Sequence, residues 1–116
     1  MNKRVIGTEK EQIAEYYLVN KGYRILARNF RIRTGEIDLI AAYAGTIVFL
    51  EVKFRNGRRN GSPLEAVTGK KQQVIVWTAR YFLYRYGYCE TTPCRFDVIG
   101  IEGNRITHIE NAFDAF

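Results

Sequence analysis

A single α/β domain with element order α-β-β-β-α-β-β is the fold class this 116-residue sequence predicts. Three observations carry that reading. The length and the 47% hydrophobic content suit one ordinary domain with a real core. Two segments place apolar residues at helical spacing, each stopped by a glycine, Gly22 and Gly87. Between and after them lie five strand-like runs. One of these, residues 46–54, is apolar on both faces for five residues, as a central strand covered on both sides should be.

The elements follow in order. Thr8-Glu9-Lys10-Glu11 has the form of a capping box and predicts a helix start, with Ile13, Ala14, Tyr17 and Leu18 as its apolar stripe. Residues 23–33 read as a strand with Tyr23, Ile25, Ala27 and Asn29 on one face. Thr34-Gly35 turns the chain into a second strand at 36–43, and Ala44-Gly45 turns it again into the central run at 46–54. Arg55 to Gly61 holds two Gly, two Asn and three Arg and reads as a basic loop. Ser62-Pro63-Leu64-Glu65 forms another capping box, with Pro at the first helical position. Helical spacing then runs to about Tyr86, with a break at Thr68-Gly69. Strands at about 95–101 and 105–110, joined at Gly103-Asn104, complete the chain. There are no repeats or linkers.

Charge narrows the function. The net charge is +6, unevenly spread. Residues 1–86 carry 16 basic and 7 acidic side chains, a net of +9, against −3 for residues 87–116. Two basic blocks contain no acid: Lys21, Arg24, Arg28, Arg31 and Arg33, then Lys53, Arg55, Arg58 and Arg59. Such blocks suit a polyanion. Neither lies on an amphipathic basic helix, so nucleic acid is expected rather than a membrane surface. No apolar run reaches the ~20 residues of a membrane span, and the N-terminus lacks the apolar core of a signal peptide. The two cysteines, Cys89 and Cys94, are too few for a disulfide framework and fit a reducing compartment, the cytoplasm. With a lone His108 they do not make a zinc site.

The central strand carries the chemistry. Residues two apart share a face, so Glu51 and Lys53 point the same way as Ile47 and Phe49. If 44 and 45 are the two loop residues of a hairpin, 43 pairs with 46 and Asp38 falls opposite Glu51. Two carboxylates set opposite each other repel. Either a hard divalent cation compensates them, as Mg²⁺ does with one or two carboxylates, water and substrate phosphate, or Lys53 and nearby Arg residues neutralise them as a structural ion pair.

Gly35-Glu36-Ile37-Asp38-Leu39-Ile40 followed by Phe49-Leu50-Glu51-Val52-Lys53-Phe54-Arg55 resembles the nuclease motif (P)D-x(n)-(D/E)-x-K. The longer pattern resembles the YraN-type bacterial family of predicted endonucleases, related to archaeal Holliday-junction resolvases. It includes Glu11 with Ala14 and Tyr17-Leu18, Gly22-Tyr23, Arg28-Asn29 with Arg31, Leu64-Glu65-Ala66-Val67 with Lys71, Arg95-Phe96-Asp97-Val98, and Glu110-Asn111-Ala112-Phe113. It spans nearly the whole chain. Lys10 departs from the family's usual Gly but removes no ligand. The resemblance implies a restriction-endonuclease-like fold, a mixed sheet whose central hairpin carries the acidic site, with helices on both faces. It implies Asp38 and Glu51 as ligands of Mg²⁺ or Mn²⁺, with the Val52 carbonyl as a further one. It implies Lys53 as the residue that orients or activates water, Glu11 as the acid that completes the site, and a homodimer.

Several residues keep two readings. Glu11 closes its capping box with Thr8 or joins the active site. Glu36 is a site acid or an exposed turn acid. Lys71 lies on the apolar line Lys71, Val74, Thr78, Phe82, where it either snorkels or reaches substrate phosphate near Glu51. Asp97 reads as the structural partner of an Arg. The expected function is Mg²⁺-dependent cleavage of DNA, branched DNA included, with Arg28, Arg31, Arg33, Arg55, Arg58, Arg59 and Lys71 holding the backbone. The alternatives are a nuclease-like module that binds nucleic acid without cutting it, and an adaptor for an acidic protein.

Overall fold

The computed structural model describes residues 3–55 and 63–115, without the side chains of 3–8 and 10. The helix α1 (Lys3–Asn20) is followed by three strands, β1 (Arg24–Ile32), β2 (Gly35–Tyr43) and β3 (Thr46–Arg55). A 3₁₀ turn (Pro63–Ala66) leads into α2 (Gly69–Arg85), and β4 (Cys94–Glu102) and β5 (Arg105–Phe113) end the chain. The strands form one sheet in sequence order, β1-β2-β3-β4-β5. Only β3 and β4 pair in parallel, with α2 in the crossover between them; the other neighbours are antiparallel. This is the mixed sheet of a restriction-endonuclease-like fold, in the predicted element order.

The helices cover opposite faces. Ala14 and Leu18 of α1 pack with Tyr23, Leu39, Ala41, Val48, Leu50, Ile99 and Ile101. Ile75, Val76, Ala79 and Phe82 of α2 pack on the other face with Ile40, Ile47, Phe49, Phe96 and Val98. β3 is buried on both faces from Ile47 to Leu50, as its apolar run predicts.

Both helices end alike. At α1, Tyr23 N–H donates to Leu18 O and Gly22 N–H to Val19 O, and at α2, Tyr88 N–H donates to Leu83 O and Gly87 N–H to Tyr84 O. Gly22 and Gly87 have φ of 98° and 75°. These are Schellman caps, and the left-handed residue is glycine in both.

Three local expectations need correction. α1 begins at Lys3, so Thr8-Glu9-Lys10-Glu11 lies inside the helix and does not open it. A capping signature is local, whereas adding residues to an existing helix is easy. β1 does not alternate regularly. A bulge between Ile25 and Ala27 shifts the register, and Asn29 takes φ of 51°. Ile25 therefore packs under α1 while Ala27 packs against the α2 face. The segment after Pro63 is a 3₁₀ turn rather than α-helix, while α2 starts at the expected break, with Thr68 as its N-cap. Ser62, with its capping role, and most of the 55–61 loop lie outside the described residues.

Candidate active site

The two-residue loop Ala44-Gly45 has positive φ at both positions, 51° and 80°, as a tight hairpin requires. It sets Tyr43 opposite Thr46, and the ladder continues to Leu39 opposite Leu50. One step further, Asp38 was expected to face Glu51 as the next rung. The rung is absent. Instead, the Asp38 carboxylate takes the backbone N–H of Val52 at 2.8 Å. A side chain replaces a main-chain acceptor, and the two strands part there. Asp38 and Glu51 still converge, now in the opening between the strands.

Their environment is costly. Burial, then the charge and hydrogen bond of Glu51, push the Asp38 carboxyl up to about 8, although the Val52 N–H bond acts the other way. Glu51 is itself 8% exposed. Its Oε2 receives two ammonium groups, Lys53 at 3.2 Å and Lys71 at 3.3 Å. Burial and the bond to Lys71 lower the Lys53 pKa, while Glu51 opposes the shift. The same Lys–Lys bond raises Lys71 despite burial.

Lys71 is placed by its helix. Thr68 caps α2, its Oγ1 accepting from Lys71 N–H at 3.3 Å. The first turn of α2 thus hangs over the end of β3, and Lys71 reaches the acids from the α2 face. The snorkelling alternative is superseded by this contact.

Glu11 comes near without joining the pair. Its carboxylate accepts from Asn29 Nδ2 at 3.0 Å, and the side chain of Thr8, its expected capping partner, lies outside the described residues. Asn29 stands across the sheet from Asp38, between the pairs Arg28–Leu39 and Phe30–Ile37. The charge of Glu11 is the smallest of the causes that raise Asp38. Among the described residues, no three His, Cys, Asp or Glu side chains gather at one point. The acidic centre is the Asp38–Glu51 pair, with the Val52 backbone against it through its N–H.

The expected backbone-holding arginines fare unevenly. Arg28 forms a two-pronged bond to Glu15, 2.7 Å on each arm, and Arg31 pairs with Glu36 at 3.1 Å. Glu36 is therefore a turn acid with a partner, outside the acidic pair. Arg33 is exposed at the β1–β2 turn. Arg55 closes β3, and Arg58 and Arg59 lie outside the described residues. Asp97 has the structural role expected of it. It is buried and bonded to Arg95 at 3.0 Å, His108 at 2.7 Å and Asn111 N–H at 2.9 Å. The sequence reading missed Asn29, whose ease at positive φ was the available signal, and the Lys53–Lys71 contact, which no local pattern reports.

The model of the Uncharacterised protein family UPF0102 matches residues 10–101, which include all of these site residues. A UPF0102 protein of Lachnoclostridium phytofermentans is 50% identical over 116 residues, covering 100% of this chain and 98% of the relative. One of Symbiobacterium thermophilum is 50% identical over 120 residues, with 99% and 100% covered. One of Persephonella marina is 47% identical over 108 residues, with 93% and 92% covered. The chain belongs to the UPF0102 family, the YraN-type group that its motifs resemble.

Proposed function

We propose that this protein is a metal-dependent endonuclease that hydrolyses phosphodiester bonds of DNA in the cytoplasm, with branched DNA among its substrates. The observation that carries the proposal is the meeting of Asp38, Glu51, Lys53 and Lys71 where β2 and β3 part.

The residues fit a hard cation. Two carboxylates share the opening, and burial, then the charge of Glu51, raises the Asp38 carboxyl. Asp38 and Glu51 would hold Mg²⁺ or Mn²⁺, with the Val52 carbonyl as a backbone donor. When bound, the cation would polarise the phosphate and offset the charge that grows on it.

The chain's own groups supply the rest. Lys53, with its lowered pKa, accepts a proton from the attacking water at Nζ. The water oxygen forms its bond to phosphorus as the bond to the leaving oxygen breaks, and that oxygen takes up a proton from solvent. Lys71 stays charged and stabilises the equatorial oxygens. Glu11 acts from α1 through Asn29, steadying the Asp38 side of the site. Arg33, Arg55, Arg58 and Arg59 hold the phosphate backbone, which positions the substrate without reading its sequence. Arg28 and Arg31 serve only if their acid partners exchange for phosphate. A homodimer would present two sites to two strands.

The test is cleavage of labelled duplex, flap, four-way junction and single-stranded DNA, and of RNA, with Mg²⁺ or Mn²⁺. Asp38→Ala, Glu51→Ala and Lys53→Ala proteins run beside the wild type. Cutting by the wild type alone is expected, and the preferred substrate then defines the activity. Metal-dependent cutting retained by Glu51→Ala refutes the proposal. Binding of branched DNA without any cutting transfers the assignment to a non-catalytic module.

A further inference from the structure

α2 has a second face that the acidic site does not use. Lys71 points to the site, and at 3.6 residues per turn its neighbour Lys70 stands about 100° round the helix, on an exposed side. Trp77, Tyr81 and Tyr84 continue that side at spacings of four and three residues, and they are 63%, 44% and 83% exposed. Aromatic rings seldom stand together in water on one helix without a partner.

The rings sit among cations. The β1–β2 turn borders them on one side. Arg33, Tyr81 and Arg85 line a shallow depression of about 500 Å³, and Thr34 of the same turn borders another, of about 340 Å³, with Trp77. The 24 residues from Ala66 to Cys89 contain four basic side chains and no acid. Two copies of this face packed together would set cation against cation, since the acid of the β1–β2 turn, Glu36, is already paired with Arg31. A polyanion complements it instead. Aromatic rings interleaved with cations are what flexible, unpaired nucleotides need, because every base has a face to stack and every phosphate a charge to meet.

We propose that the exposed face of α2, with the β1–β2 turn, binds unpaired nucleotides of a polynucleotide. The face begins beside Lys71, and Trp77 lies ~9 Å and Tyr84 ~20 Å along the helix from it. A single-stranded tail or flap leaving the acidic site would continue along this path. The inference shares its polynucleotide partner with the proposed function but requires no cleavage.

Trp77 is the chain's only tryptophan, so its fluorescence reads the platform directly. The full-length protein is titrated in EDTA with a single-stranded oligonucleotide, a blunt duplex of equal length, and a duplex carrying a single-stranded tail. Anisotropy of the labelled DNA is followed in parallel. Saturable quenching by the single strand and the tailed duplex, but not by the blunt duplex, is expected. Trp77→Ala should weaken binding of the tail roughly 5- to 150-fold, the range for loss of one stacked base. Trp77→Phe should recover most of it. Replacing Lys70 and Arg85 together by Ala should lower the salt dependence of single-strand binding by about 1.4, at 0.7 per phosphate contact.

Binding by anisotropy with unchanged Trp77 emission overturns the proposal. So does equal affinity of Trp77→Ala, or an emission change that follows protein concentration without DNA, which would identify the face as a contact between copies. Quenching without cleavage activity in Mg²⁺ removes the nuclease reading alone; cleavage without quenching removes this one alone.

Discussion

Neutralising Asp38 should stabilise the metal-free protein at alkaline pH. The Asp38 carboxyl rises from 3.8 in the free side chain to about 8 in the fold, chiefly through burial and then through Glu51. A carboxyl raised on folding favours the native state while it is protonated in both states, below about pH 4. That contribution is lost as pH climbs to about 8. At about 1.4 kcal/mol per pH unit, the full interval amounts to about 6 kcal/mol. Asp38 is only partly buried at the opening between the strands, so solvent screening reduces this, and we take about half, ~3 kcal/mol. For a chain of this size that is roughly 12 °C in Tm, at about 4 °C per kcal/mol. Asp38→Asn keeps an oxygen for the Val52 N–H and removes the charge. Melting curves in EDTA from pH 5 to 9 should show the wild type falling relative to the variant, with the variant the more stable at pH 9. Mg²⁺ should then restore the wild type and leave the variant unmoved, since a ligand stabilises only the state that binds it. Parallel curves, or a variant less stable at pH 9, would refute the reasoning, because the carboxylate would then be well compensated by the fold.

Lys71→Met removes the bond that helps depress Lys53. The Lys53 pKa should rise, and the acidic limb of the cleavage-rate profile should move to higher pH while the protein still folds. Gly35→Ala should cost about 1–3 kcal/mol in urea unfolding, because its new methyl would meet Thr78 Oγ1 and Val74 of α2. Asp97→Ala leaves Arg95, His108 and Asn111 N–H around an empty place, and a loss of about 3–5 kcal/mol is expected. Burial alone would raise Asp97, but His108, Arg95 and the Asn111 N–H together hold it below the usual carboxylate range. The wild-type contribution of Asp97 should therefore persist above pH 4 and vanish only as pH falls through that lowered value, which acid unfolding of wild type and Asp97→Asn would reveal.

The acids and the lysine stand out in the sequence because they interrupt an apolar run. A strand period of two places Glu51 and Lys53 on one face, and a two-residue turn sets the register from Tyr43–Thr46 onward. The element order was legible for the same reason: apolar spacing changes at each glycine-bearing turn. Local pattern failed where the chain departs from its period. The bulge in β1, the positive φ of Asn29 and the missing Asp38–Glu51 rung are responses to tertiary packing and to a carboxylate that captures a backbone N–H. The basic blocks mislead in a similar way. The stretch from Lys21 to Arg33 is free of acid in sequence, yet Glu15 and Glu36 come to Arg28 and Arg31 across space.

By itself the sequence determined the sheet, its helices and the candidate acids, since these depend on hydrophobic period, turn residues and residue type. Only the tertiary structure decided that Lys71 joins Lys53 on Glu51, that Glu11 answers to Asn29, and that the outer side of α2 carries exposed aromatic rings. Those relations join residues far apart along the chain, and Coulomb energy, burial and hydrogen bonding depend on distance in space.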